Sequence, residues 1–151
     1  MSFHEYSILL VEDDSNDILL IERAFSRVNV THPIRVVKDG DAAIDYLSGS
    51  GVYGDRDRHP LPALILLDLK LPRRSGIEVL EWIKQQASIR RIPVVVLTSS
   101  KESLDVDRAY DLGVNSYLVK PVNYTKLEQM IVALDAYWLQ VNEYPSLSAM
   151  Y

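Results

Sequence analysis

Glu12, Asp13 and Asp14 stand in a row at the end of the apolar run ILLV. Asp68 closes a second run, LILLD; Thr98 closes a third, VVVLT; and Lys120 follows a fourth, SYLV. Carboxylates massed at the tip of a buried segment repel one another unless a cation sits among them. A hard divalent ion, with Mg2+ the natural choice, takes oxygen ligands, uses one or two carboxylates and keeps water or phosphate oxygens in its remaining positions. The amine of Lys120 invites an anion into the same place. A phosphoryl group on a carboxylate oxygen would be stabilised by metal and ammonium together, and the Thr98 hydroxyl can donate a hydrogen bond to it.

These side chains meet only if the segments before them run parallel. The apolar runs at 7–11, 34–37, 63–67, 94–97 and 116–119 are short and rich in Val, Ile and Leu. Continuous apolar runs of this length predict parallel strands buried on both faces. Longer stretches between them have helical periodicity. Ile18, Ile21, Glu22 and Phe25 mark the first helix, with Asp14, Ser15 or Asp17 as cap or dipole partner. DAAIDYL marks the second, after a capping turn KDGD. The third opens at Ser75-Gly76, and the fourth, ESLDVDRAYDL, stops at Gly113. A long fifth helix carries the stripe Leu127, Met130, Ile131, Leu134, Trp138 and Val141. Five strands alternating with five helices give an α/β fold, a doubly wound parallel sheet. All carboxyl ends of such a sheet emerge on one edge, where ligands bind.

The 151 residues, 48% of them apolar, are enough for one domain with a substantial core. No run approaches a membrane span, and MSFHEYS lacks the pattern of a secretory signal. There is no cysteine, which excludes disulfides, thiolate zinc sites and thiol chemistry. A net charge of −5, from 16 basic and 21 acidic residues, argues against a general nucleic-acid binder. A cytoplasmic chain is the expectation. PRRSG and IRRIP read as solvated loops, and His4, His32 and His59 as scattered surface histidines.

The four motifs, in this order, resemble the receiver domain of two-component response regulators over about residues 6–139. The resemblance implies a flavodoxin-like sheet of strand order 2-1-3-4-5. It makes Asp68 the phosphoacceptor, Asp13 a direct Mg2+ ligand, Glu12 a metal-site acid acting through water, and Lys70 a ligand through its backbone carbonyl. Thr98 becomes the switch hydroxyl, Lys120 the phosphate-pairing amine and Tyr117 the moving aromatic. Pro121 implies a cis bond after Lys120. Lys70 departs from the family's usual small or polar residue two places after the phosphoacceptor. Together with Ser100, it should affect how fast water attacks an acyl phosphate. The chain would be a phosphoacceptor signalling protein, an enzyme only in assisting its own phosphorylation and dephosphorylation.

Residues 1–151 then read as a single receiver domain with a polar insertion at 49–62 and a C-terminal extension at 140–151. These two features are similar to those of stand-alone response regulators of cyanobacterial phytochromes. That likeness implies a phytochrome-type sensor histidine kinase as phosphodonor. It also implies a homodimer through the fourth helix, fifth strand and fifth helix, with output by protein contacts or phosphorelay. Aromatics near the last two helices (Tyr110, Tyr124, Tyr137, Trp138, Tyr144 and Tyr151) make a partner surface there an expectation.

Each motif alone has an ordinary reading. Glu12 and Asp13 suit a capping turn, Thr98 a strand end and Lys120 a surface lysine; only their combination is specific. The alternative is a metal-dependent phosphatase with an aspartyl-phosphate intermediate, which would want a second Asp where Lys70 stands. A flavin module would need a Ser-, Thr- and Gly-rich loop in place of the three carboxylates.

Overall fold

The computed structural model describes residues 7–28 and 32–145. His4, Tyr151 and the end of the 140–151 extension lie outside the described residues. Five strands, β1 (Ile8–Val11), β2 (Ile34–Val37), β3 (Leu64–Leu67), β4 (Val94–Thr98) and β5 (Ser116–Val119), form one sheet in the order β2-β1-β3-β4-β5. Every pairing is parallel. The helices between and after them are α1 (Ser15–Arg27), α2 (Gly40–Ser48), α3 (Gly76–Gln85), α4 (Ser103–Asp111) and α5 (Tyr124–Leu134). The fold is the doubly wound, flavodoxin-like one expected.

Successive side chains of a strand point to opposite faces, so each continuous apolar run feeds two cores. Leu9, Val11, Ile65, Leu67, Val94 and Val96 pack with α2, α3 and α4, through Tyr46, Leu47, Val79, Leu80, Ile83 and Ala109. Ile8, Leu10, Leu64, Leu66, Val95 and Leu97 pack with α1 and α5, through Ile18, Ile21, Phe25, Leu127, Ile131 and Leu134. β1, β3 and β4 are buried throughout. β2 and β5 are mostly half-buried. The expectation of strands covered on both faces therefore needs correcting at the two edges, where a strand has a neighbour on one side only.

Local chemistry fixes the helix ends, as read for α1 to α4, while the Asn123 cap of α5 is not among the expectations. Asp14, Asp39, Ser75 and Asn123 cap α1, α2, α3 and α5 by accepting backbone N–H bonds. Ser75 and Glu78 form a reciprocal capping box. Gly113, at φ 86°, ends α4 in the left-handed conformation that glycine adopts freely. Gly76 has a different role: a Cβ there would lie 2.3 Å from the Asp68 carbonyl oxygen. Its bare Cα lets the start of α3 press against the backbone of Asp68.

Three expectations change. The fifth helix ends at Leu134 as an α-helix and continues as a π-helical stretch, Asp135–Val141. π winding closes i→i+5 in place of i→i+4 hydrogen bonds and so widens each turn, and Leu139 follows Leu134 into the core while Val141 is left exposed. The 49–62 insertion is more than a polar loop. Gly51–Gly54 forms one 3-10 turn, and Arg56 donates to the Tyr46 and Leu47 carbonyls at the end of α2 at 2.7 and 2.9 Å. His59 lies edge-on to the rings of Tyr46 and Tyr53, in contrast to the scattered surface role expected. Finally, no described peptide bond is cis. Lys120-Pro121 is trans, the intrinsically favoured isomer.

PRRSG is a solvated loop as expected, with the Arg73 and Arg74 side chains 70% and 51% exposed. Arg73, at φ 66°, reaches toward Asp39 and Asp41, and Arg74 pairs with Asp41 at 3.0 Å. Exposed pairs of this kind contribute little stability, but they tie the loop after β3 to the start of α2.

Candidate functional site

Strand register builds the site. Val11 lies opposite Leu67 in the parallel pairing of β1 with β3. The next residues, Glu12 and Asp68, therefore leave the sheet side by side. Leu97 lies opposite Leu118 and Thr98 opposite Val119, and the Lys120 N–H donates to the Thr98 carbonyl at 2.7 Å. Lys120 thus emerges at the same edge. Glu12 is 1% exposed and Asp68 6%, while Asp13 is open to solvent. Carboxylate oxygens of Glu12, Asp13 and Asp68 all lie within 4.8 Å of one another. That oxygen-only donor set, partly buried and partly open, fits a hard cation with room for water or a phosphate oxygen.

The Lys120 ammonium donates to Asp68 Oδ2 at 2.9 Å and to Asp17 Oδ2 at 2.8 Å, and it also pairs with Glu12. Burial pulls the Lys120 pKa down, but these hydrogen bonds outweigh it and raise the pKa, so the group stays charged. Glu12 shows the opposite balance. Burial pushes its carboxyl up to about 7 and the Asp68 charge adds to that. The Lys120 hydrogen bond and the Asp14 N–H, at 3.1 Å from Glu12 Oε2, hold it back. One ammonium is too little positive charge for the carboxylates it serves.

The other expected residues surround this centre. The Lys70 N–H donates to Asp68 Oδ1 at 3.1 Å, so its backbone faces the carboxylate while its side chain is exposed. Thr98 is fully buried at the end of β4. Its hydroxyl accepts a long contact, 3.5 Å, from the Ser100 N–H, and makes no hydrogen bond to Asp68. The Tyr117 hydroxyl donates to the Ser100 carbonyl at 2.8 Å, which ties β5 to the loop after β4. Burial raises the Tyr117 pKa. Ser100 in turn donates to Asp105 of α4 at 2.5 Å. A chain of contacts therefore runs from Thr98 through Ser100 to Tyr117 and α4.

Asp17 is the site residue that the sequence did not reveal. Asp14 caps α1 as read, accepting from the Asp17 N–H at 3.0 Å, but the Asp17 side chain is a partner of Lys120. Its signal was its place in the first helical turn after β1, which faces the carboxyl edge; a capping role explains the same position equally well.

The profile of the response regulator receiver domain matches residues 8–132 of the chain. The chain belongs to the response regulator receiver family. This receiver is 44% identical over 143 residues to the probable methanogenesis regulatory protein FilR2 of Methanothrix harundinacea, covering 93% of this chain and 88% of that protein. It is 41% identical over 139 residues to response regulator Rcp1 of Synechocystis sp., covering 92% of each. Among solved structures it is similar to the phosphorylated cyanobacterial phytochrome response regulator RcpA, with TM-score 0.88 and 41% identity over 94% of this chain and 99% of that one. The Mn2+-bound form of Rcp1 superimposes with TM-score 0.85 at 40% identity, over 93% of this chain and 99% of that one.

Proposed function

We propose that this receiver is a phosphoryl-accepting switch. An Asp68 oxygen attacks the phosphorus of a sensor kinase's phosphohistidine. A P–O bond forms, the P–N bond breaks and the imidazole leaves. Glu12, Asp13, Asp68 and the Lys70 carbonyl would hold Mg2+, which supplies positive charge to the transferring oxygens when bound. Lys120 supplies a second positive charge, already desolvated and aimed at Asp68. The observation that carries this reading is the Lys120 ammonium bonded to Asp68 beside the three-carboxylate cluster.

Phosphate on Asp68 then offers Thr98 a better hydrogen-bond partner than the long contact from Ser100. Movement of Thr98 disturbs the Ser100 loop and its bond to Tyr117, and so biases the face formed by α4, β5 and α5. This is a two-state population shift driven by a local charge. α4, α5 and the stretch after α5 expose Leu104, Tyr110, Val132, Tyr137 and Val141, which suits a homodimer contact. Size exclusion with light scattering tests it: beryllofluoride with Mg2+ is expected to double the mass. One-chain mass in both conditions would remove the dimer, and two-chain mass in both would remove its dependence on phosphate.

The likeness to RcpA and Rcp1 supports a phytochrome-type histidine kinase as donor. Two exposed apolar side chains offer it a foothold. Leu19 lies two residues beyond Asp17 and Val122 two beyond Lys120, and those anchors are bonded to each other. Leu19→Glu and Val122→Glu are each expected to slow transfer from such a phosphorylated kinase by about tenfold, as loss of an apolar anchor does. Labelling by acetyl phosphate, which needs no docking, should keep its rate. Equal slowing with both donors would place these residues in the chemistry instead. Transfer no faster from a phytochrome-type kinase than from an unrelated sensor kinase would remove the phytochrome pairing.

A further inference from the structure

Lys120 has three N–H donors and three carboxylate partners. Two partners, Glu12 and Asp68, belong to the cluster suited to a cation; the third, Asp17, does not. In the reaction proposed above, both cluster carboxylates change partners, because a bound cation would engage them and phosphorylation converts one Asp68 oxygen into the bridging oxygen of an acyl phosphate. Asp17 alone keeps its oxygens free for Lys120 at every stage. Its backbone is also anchored. Its N–H is pinned to Asp14 Oδ1, and α1 is anchored in the core by Ile18 and Ile21.

A lysine ammonium rides on a flexible four-carbon stem with much rotamer freedom to lose. A fixed acceptor on a neighbouring helix restricts the arc that the ammonium can sweep. We propose that Asp17 is a positioning residue for phosphoryl transfer, holding the Lys120 ammonium over Asp68 while Glu12 and Asp68 exchange their contacts. The inference rests on the reading of Asp68 as phosphoacceptor. Asp17 also brings negative charge, which by itself would weaken the pull of Lys120 on an incoming phosphate. Position and charge therefore predict opposite signs when the side chain is removed.

The test is the initial rate of labelling by acetyl phosphate at saturating Mg2+, read by intact mass, with Mg2+ affinity measured separately. Asp17→Ala is expected to be slower by about tenfold, the scale of one charge-assisted hydrogen bond. Asp17→Asn, which keeps an acceptor oxygen in place, should restore most of the rate. Asp17→Ser keeps a small polar side chain in the first turn of α1 but is too short to reach Nζ, and should match Asp17→Ala; it also serves if the alanine variant does not fold. Mg2+ affinity should stay near wild type in all three. An alanine variant at or above the wild-type rate overturns the proposal. So does an asparagine variant as slow as alanine, since an acceptor oxygen in place would then not suffice to hold the ammonium, and so does loss of rate that tracks loss of Mg2+ affinity, which assigns the effect to the cation site. If the wild-type chain takes no label on Asp68, the phosphoacceptor reading fails first and the Asp17 role falls with it. A labelled wild type with an indifferent Asp17 removes the Asp17 role alone.

Discussion

Asp68→Asn is expected to end phosphoryl labelling, by acetyl phosphate and by a phosphorylated kinase alike, with a drop in rate of more than about a hundredfold. An amide has no carboxylate oxygen to attack phosphorus and cannot form the acyl phosphate. The substitution is otherwise mild. The amide oxygen can still accept from the Lys70 N–H, and the side chain sits on a backbone fixed between Val11 and the start of α3. Removing one negative charge also relieves Glu12, whose pKa the Asp68 charge helps to raise, so the variant should fold. Thermal melting and circular dichroism establish that point, and intact-mass analysis after incubation with Mg2+ and acetyl phosphate reads the label. A folded Asp68→Asn protein labelled at the wild-type rate would move the acceptor to another residue and dismantle the proposed switch.

What the sequence disclosed, and what it hid, follows from the range of the interactions involved. Parallel pairing carries residue identity directly into position. Once the runs ending in Glu12, Asp68 and Thr98 are adjacent parallel strands, their tips meet, so these residues and Lys120 were legible as one rim. Caps were legible too, because Asp14, Asp39 and Ser75 bond within three residues of themselves. The contact between Asp17 and Lys120 spans 103 residues and depends on the angle at which α1 crosses the sheet edge. No local pattern encodes that angle. The same holds for Arg56, whose role is set by where the insertion folds back onto α2. The stripe on the last helix misled for a different reason: α and π winding place different residues on one face, and the step from Leu134 to Leu139 emerges only from packing against the core.

The affinity of the site for Mg2+ should rise steeply with pH and level off near pH 7. Burial lifts the Glu12 carboxyl from its ordinary value of 4.5 to about 7 in the metal-free chain. A cation binds the ionised form, so each pH unit below that value is expected to weaken binding by up to about tenfold. The sign for folding is the reverse. With its pKa raised, folded Glu12 holds a proton that the unfolded chain has already released between pH 4.5 and 7. Its contribution to stability is therefore fully present below pH 4.5 and is lost as pH rises through about 7. Mg2+ compensates where that loss is greatest, so the thermal shift it produces should grow across the same window. Titration calorimetry and thermal melts from about pH 5.5 to 8, with and without Mg2+, read both effects. Glu12→Gln should flatten the two pH profiles together, because the amide neither binds nor releases a proton there. A wild-type affinity that does not change with pH across this window would mean that Glu12 stays ionised when buried, and that Lys120 alone suffices to neutralise it.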